Sequence, residues 1–140
     1  ITDKITNVPG SSTWFERGVI AYSNSSKVEI LGVDAGLIDA HGAVSSEVAC
    51  AMADGIRIHA RSDIGIATTG VAGPTGGSAE KPVGLVWIAI STARETLAHA
   101  FYFGDHRIRT KKRAAQAALD MVRRQLLALP PIPSTLTEAS

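Results

Sequence analysis

Aromatic residues make up only 5% of this 140-residue chain, and cysteine occurs once, at Cys50. A lone thiol excludes a disulfide-stapled scaffold and fits a reducing compartment. Charge is scarce as well: Asp, Glu, Lys and Arg together are 19%, and the formal net charge is +1. That balance excludes a self-repelling disordered chain, and 45% hydrophobic residues leave ample material for a core. No apolar run reaches the ~18 residues that a bilayer span requires, and no basic-then-apolar leader opens the chain. The 13 glycines show no period of three, and no heptad is sustained. The expectation is one soluble, cytosolic domain without membrane association.

The apolar pattern orders this domain. Ile1, Ile5 and Val8 fall on one helical face, which Pro9-Gly10 interrupts. A helix that opens without a cap predicts a segment upstream of Ile1. Ser11 and Ser12 are candidate caps for a short turn through Trp14-Phe15-Glu16, and Gly18 to Tyr22 reads as a short buried strand. Asn24 or Ser25 can cap a helix that Gly32 ends, and Asp34 opens another that closes at His41-Gly42. From Ser45 runs the clearest amphipathic helix, with Val48, Met52 and Ile56 on one side.

Asp63 to Thr69 is a strand whose apolar run suits burial on both faces, and Pro82 to Ser91 reads as a strong central strand. Thr96 to Phe103 follows the second by a hairpin at Ala93-Arg94-Glu95. A long helix from Ile108 to Leu129 turns Ala114, Ala118, Met121, Val122, Leu126 and Leu129 inward, and Pro130-Pro131 ends it ahead of a loose tail. Helices alternating with strands argue an α/β layered fold with a mixed sheet.

Chemistry concentrates in two places. Gly70, Gly73, Gly76 and Gly77, with Pro74, follow a buried strand, where open α/β sheets place ligands. Successive N–H groups there can cradle an anion such as a phosphate. The run is neither a Walker loop nor G-x-G-x-x-G, and its alternative is a plain glycine turn joining two strands. The second cluster is Gly10-Ser11-Ser12, Tyr22-Ser23-Asn24 and Lys27. A buried lysine can act as base to a serine nucleophile without any histidine. The bland alternatives are serine caps and a solvated lysine.

His41, His59, His99 and His106 have no metal-ligand spacing, so no metal is expected. The basic run Arg107, Arg109, Lys111, Lys112 and Arg113 is either a solvated helix face or a patch serving a phosphate.

Taken together, these motifs resemble the CinA C-terminal domain family, whose enzymatic members are nicotinamide-nucleotide amidases. The resemblance rests on Gly10-Ser11-Ser12, Arg17-Gly18, Tyr22-Ser23-Asn24 with Lys27, Leu31-Gly32-Val33 and His41-Gly42-Ala43-Val44-Ser45. It continues in Thr69-Gly70-Val71-Ala72-Gly73-Pro74 with Gly76-Gly77, then Lys81-Pro82-Val83-Gly84. It spans Ile1 to about Leu127, and residues 1–129 are taken as the domain, with 130–140 as the tail.

The resemblance implies a three-layer α/β/α sandwich with a mixed, mostly parallel sheet. It implies hydrolysis of nicotinamide mononucleotide to nicotinate mononucleotide and ammonia, without a cofactor. By position, the family's hydroxyl and lysine fall on Ser12 and Lys27, supported by Tyr22, with Thr69 or a backbone N–H at the oxyanion. Ser11, Gly70, Gly73, Gly76, Gly77 and Arg107 fall on the substrate side. The family's preceding strand and glutamate-serine-x-threonine-glycine-glycine loop have no counterpart in these residues. Its G-D-R motif stands here as Gly104-Asp105-His106-Arg107, so Arg107, Arg109 and Lys111 all remain candidates for the phosphate.

Two other functions compete. One is a non-catalytic nucleotide-binding or regulatory domain of a larger protein. The other is a nucleic-acid contact through the basic run, ranked last because few aromatics are available for stacking. The small-molecule partner is a nucleotide, and Trp14 and Phe15 suit either a homo-oligomer interface or the core.

Overall fold

The computed structural model describes residues 1–131. Helix α1 (Thr2–Thr6) leads to a 3-10 turn at Ser11–Thr13, then to α2 (Asn24–Leu31), α3 (Ala35–His41) and α4 (Ser46–Ala60). Strands β1 (Gly65–Gly70), β2 (Leu85–Ser91) and β3 (Thr96–Tyr102) follow, and α5 (Arg107–Leu126) closes the order. The expected loose tail falls mainly on residues 132–140, outside the described ones.

Local chemistry explains where the helices start. Ser23, Asp34 and Ser45 each accept the backbone N–H three residues on, satisfying one of the orphan donors of a first turn. The cap of α2 is thus Ser23, one residue before the expected Asn24. Gly32 ends α2 at φ 69°, a left-handed conformation that a Cβ disfavours. Near the N-terminus the serines do not cap a helix through Trp14-Phe15-Glu16. They lie inside the 3-10 turn, whose preceding residue is Gly10 at φ 83°.

The sheet has the order β1-β2-β3 and is antiparallel throughout. This corrects the expected mostly parallel sheet. A parallel pair needs a crossover, usually a helix. Residues 71–84 contain no helix and simply return the chain, pairing Gly70 with Val86. The β2–β3 hairpin closes through Thr92 and Glu95, as the turn residues suggested.

Alternation along β2 divides the core. Ala89 faces a cluster with Leu31, Val33, Val48, Met52 and Ala67, on the α4 side. Val86, Ile88 and Ile90 face Phe101, Ala114, Ala118 and Met121, on the α5 side. A helix therefore covers each face of the sheet, which is why β2 reads as a continuous apolar run. Gly55 brings α4 against α2 so closely that a Cβ there would strike the Leu31 carbonyl. At the hairpin end, the Asp54 carboxylate accepts from Ser91 Oγ (2.6 Å) and Thr96 Oγ1 (2.5 Å), while Arg57 Nε donates to Ser91 Oγ at 2.8 Å.

Two further expectations fail. Gly18 to Tyr22 has no regular secondary structure: Val19 and Ala21 lie against the core, but it joins no ladder among the described residues. Ile20 and Tyr22, 87% and 82% exposed, face outward instead of lying in a buried strand. On α5, Ala114, Ala118 and Met121 are buried as expected, whereas Leu126 and Leu129 are exposed: the helix ends at Leu126, so Leu129 lies beyond it. No described helix is long and apolar enough to cross a membrane.

Candidate functional site

The glycine-rich segment crosses from the end of β1 to the start of β2. Its base is closed by Val71 N–H donating to the Leu85 carbonyl (2.9 Å) and Gly84 N–H to the Val71 carbonyl (2.6 Å). Beyond that base, the N–H groups of Ala72, Gly73, Thr75, Gly76 and Gly77 have no partner among the described residues. Unspent amides in sequence are the raw material of an anion cradle. Gly73 sits at φ 77°, and a Cβ on it would strike Val83 Cγ1, so no other residue fits that bend. Because the segment joins antiparallel strands, it is a hairpin connection. The rule that places ligands at the carboxyl ends of parallel strands does not describe it.

Arg107, the first residue of α5, reaches this loop. Its Nη1 donates to the Gly73 carbonyl at 3.0 Å, and Nη2 to the Tyr22 hydroxyl at 3.4 Å. Two donors of the five are used, leaving others on an exposed guanidinium. The His106 ring accepts from Arg109 N–H at 3.4 Å, which caps the helix just beneath. Arg109, Lys111, Lys112 and Arg113 are exposed and form no ion pair among the described residues.

Lys27 is buried, with 6% exposure, in the first turns of α2. Its ammonium donates to the carbonyls of Ala21 (3.1 Å) and Ser23 (3.4 Å), and no carboxylate pairs with it among the described residues. Removal from water disfavours the charged form, and burial lowers its pKa from the ordinary 10.5. The two carbonyls belong to the residues on either side of Tyr22, whose own hydroxyl is the one that meets Arg107.

The serines stand differently. Ser12 is exposed, and its hydroxyl bonds to nothing among the described residues, Lys27 included. Ser11 is buried in the same 3-10 turn. Thr69 Oγ1 gives its proton to the Ala43 carbonyl at 2.6 Å, which leaves the hydroxyl without a hydrogen for an oxyanion. Gly70 is exposed, and a Cβ there would come 2.6 Å from the Leu85 carbonyl oxygen. Gly76 (φ 89°) and Gly77 are exposed on the outer part of the loop.

One residue escaped the reading of the sequence. Lys81 Nζ donates to the His41 carbonyl at 2.5 Å. Its signal was its place in the Lys81-Pro82-Val83-Gly84 motif, which marked the residue without giving it a partner. Among the described residues, no three His, Cys, Asp or Glu side chains gather as a metal site would need.

Known proteins are similar to this chain in sequence and fold. The family model for the CinA C-terminal domain matches residues 1–126. A CinA-like protein of Syntrophus aciditrophicus is 49% identical over 130 residues, covering 91% of this chain and 31% of the relative. A putative competence-damage inducible protein of Caldanaerobacter subterraneus is 48% identical over 126 residues, covering 90% and 31%. This chain therefore spans about a third of the length of those curated relatives. Among solved structures, the competence/damage inducible protein CihA of Agrobacterium tumefaciens superimposes with a TM-score of 0.84 at 38% identity, covering 87% of this chain and 75% of that one. The competence damage-inducible protein A of Klebsiella pneumoniae gives 0.86 at 28% identity, covering 90% and 78%.

Proposed function

The chain belongs to the CinA C-terminal domain family, and from that premise we propose that it is an amidohydrolase converting nicotinamide mononucleotide to nicotinate mononucleotide and ammonia. The observation that carries the reading is that buried Lys27 bonds the carbonyls on either side of Tyr22, whose hydroxyl meets the Arg107 guanidinium that also holds Gly73.

In this reading neutral Lys27 takes the proton from the Ser12 hydroxyl as its oxygen attacks the carboxamide carbon. The carbonyl electrons move onto oxygen, and a backbone N–H holds the oxyanion, since the Thr69 proton is already committed. Collapse of the adduct breaks the C–N bond, and the Lys27 ammonium returns its proton to the departing ammonia. Water, deprotonated by the same amine, then cleaves the ester and frees Ser12 and the carboxylate. The loop amides from Gly73 to Gly77, with Arg107, bind the nucleotide phosphate by charge-assisted hydrogen bonds. Trp14, 61% exposed, suits a homo-oligomer contact.

The test is ammonia release from nicotinamide mononucleotide by the wild-type chain, Ser12→Ala and Lys27→Met. Turnover lost in both variants supports the assignment, and turnover that survives Ser12→Ala removes the nucleophile. A second reading is favoured by the lack of a Ser12–Lys27 hydrogen bond: a nucleotide-binding domain of a larger protein without turnover of its own. Calorimetric binding of the mononucleotide with no ammonia released selects it.

A further inference from the structure

Lys81 makes a contact that none of this chemistry uses. Its ammonium crosses 40 residues of sequence to the His41 carbonyl, and a Cβ on Gly42 would lie 2.6 Å from the same nitrogen. Further along the same turn, the Ala43 carbonyl takes the Thr69 hydroxyl at 2.6 Å. Thr69 stands just before the glycine-rich segment and Lys81 near its end. Both arms of the loop are therefore tied to the single turn between α3 and α4.

That turn is itself braced. Ser45 Oγ donates to the Gly42 carbonyl at 2.8 Å, and His41 Nδ1 faces Glu47 Oε1 at 3.6 Å. On the loop side, Lys81 N–H donates to Ser78 Oγ (3.0 Å), and Ser78 N–H to the Lys81 carbonyl (2.9 Å). Lys81 thus anchors the stretch from Ser78 onward, and the unpaired amides of Thr75, Gly76 and Gly77 come immediately before it. Residues 74–80 are all exposed. A segment that buries nothing gains order only from such polar ties, and an ammonium on a carbonyl is among the stronger ones.

We propose that Lys81 is a positioning residue. By gripping the His41 carbonyl beside the Thr69–Ala43 bond, it holds the 70–84 loop in the shape that presents its free amides to an anionic substrate. The effect on substrate rests on the amidase reading, whereas the effect on loop order does not.

The experiment combines backbone 15N relaxation with steady-state kinetics on the full chain, comparing wild type, Lys81→Met and Lys81→Arg. Order parameters over 75–80 are expected to fall from about 0.85 to below about 0.6 in Lys81→Met and to recover in Lys81→Arg. KM for nicotinamide mononucleotide should rise about tenfold in Lys81→Met while kcat changes little, the pattern of lost uniform binding. Unaltered order parameters overturn the clasp whatever the turnover. A loosened loop with unchanged KM overturns its role toward substrate. A loosened loop in a chain that releases no ammonia removes the amidase reading and leaves the clasp standing. Should Lys81→Met not fold, Lys81→Gln, a shorter neutral donor, carries the same comparison.

Discussion

The guanidinium of Arg107 donates to the main-chain carbonyl of Gly73 at 3.0 Å, joining the first residue of α5 to the bend of the loop between β1 and β2. Because the acceptor is backbone, the contact fixes the loop's path without depending on any side chain there. Removing the guanidinium should loosen that bend and, in the amidase reading, delete a phosphate donor as well. Arg107→Ala is expected to raise KM for nicotinamide mononucleotide by roughly 10- to 100-fold, the range for one or two charge-assisted bonds. Arg107→Lys should recover only part of it, since one ammonium cannot span two acceptors as a planar fork does. Unfolding curves should shift little, because the side chain is exposed.

Lys27 makes a prediction about pH. Its folded-state pKa lies below 10.5 because burial disfavours the charge. Between the lowered value and 10.5 the unfolded chain binds more protons than the folded one, so stability rises with pH across that window. Below the window the folded state carries the full penalty of a buried ammonium. Urea midpoints of the wild type should climb as pH approaches 10.5, and those of Lys27→Met should lack the climb. In the amidase reading, activity follows the neutral amine and increases with pH through the lowered value. Lys27→Met should reduce kcat by about 10²- to 10⁴-fold, the usual contribution of a general base.

Thr69→Val keeps the shape of the side chain and takes away its proton. The half-buried Ala43 carbonyl then faces a methyl group and loses a hydrogen bond worth about 0.5–1.5 kcal/mol. Thr69→Ser retains the donor and should lose less. Chemical denaturation of the pair reads the difference, and equal stability of Val and Ser variants would discount the bond.

Ser91→Ala is the control for distance. Ser91 lies at the hairpin end of β2, opposite the glycine-rich loop, and links Asp54 with Arg57. Its loss should destabilise the fold by about 1–2 kcal/mol. KM and kcat for the mononucleotide should stay as in the wild type, and a large change in either would mean that the two ends of the sheet are coupled.

Much of the scaffold was legible from residues close together in sequence. Asp34 and Ser45 announced helix starts, Gly32 a helix end, and the apolar run of β2 a central strand. The glycines at 70, 73, 76 and 77 marked a loop long enough to meet a ligand. What misled was Gly18 to Tyr22, whose apolar residues read as a strand although the segment joins no ladder among the described residues. The parallel sheet failed for a related reason. Strand direction depends on how residues 71–84 close, and their glycines specify a bend without specifying which way the chain leaves it.

The candidate site was legible as residue types only. Serine, lysine, tyrosine and arginine at those positions named a chemistry, but the partner of each polar group was open. By itself the sequence determined most helix starts and ends, the main strands and the position of the glycine-rich loop, because those depend on contacts within a few residues. Only the tertiary structure decided that Thr69 spends its proton on Ala43, that Lys81 spans to His41, and that Arg107 meets Gly73 rather than solvent. Such pairings are settled when distant backbone carbonyls come within hydrogen-bond reach, and chain closure, not local propensity, sets that distance.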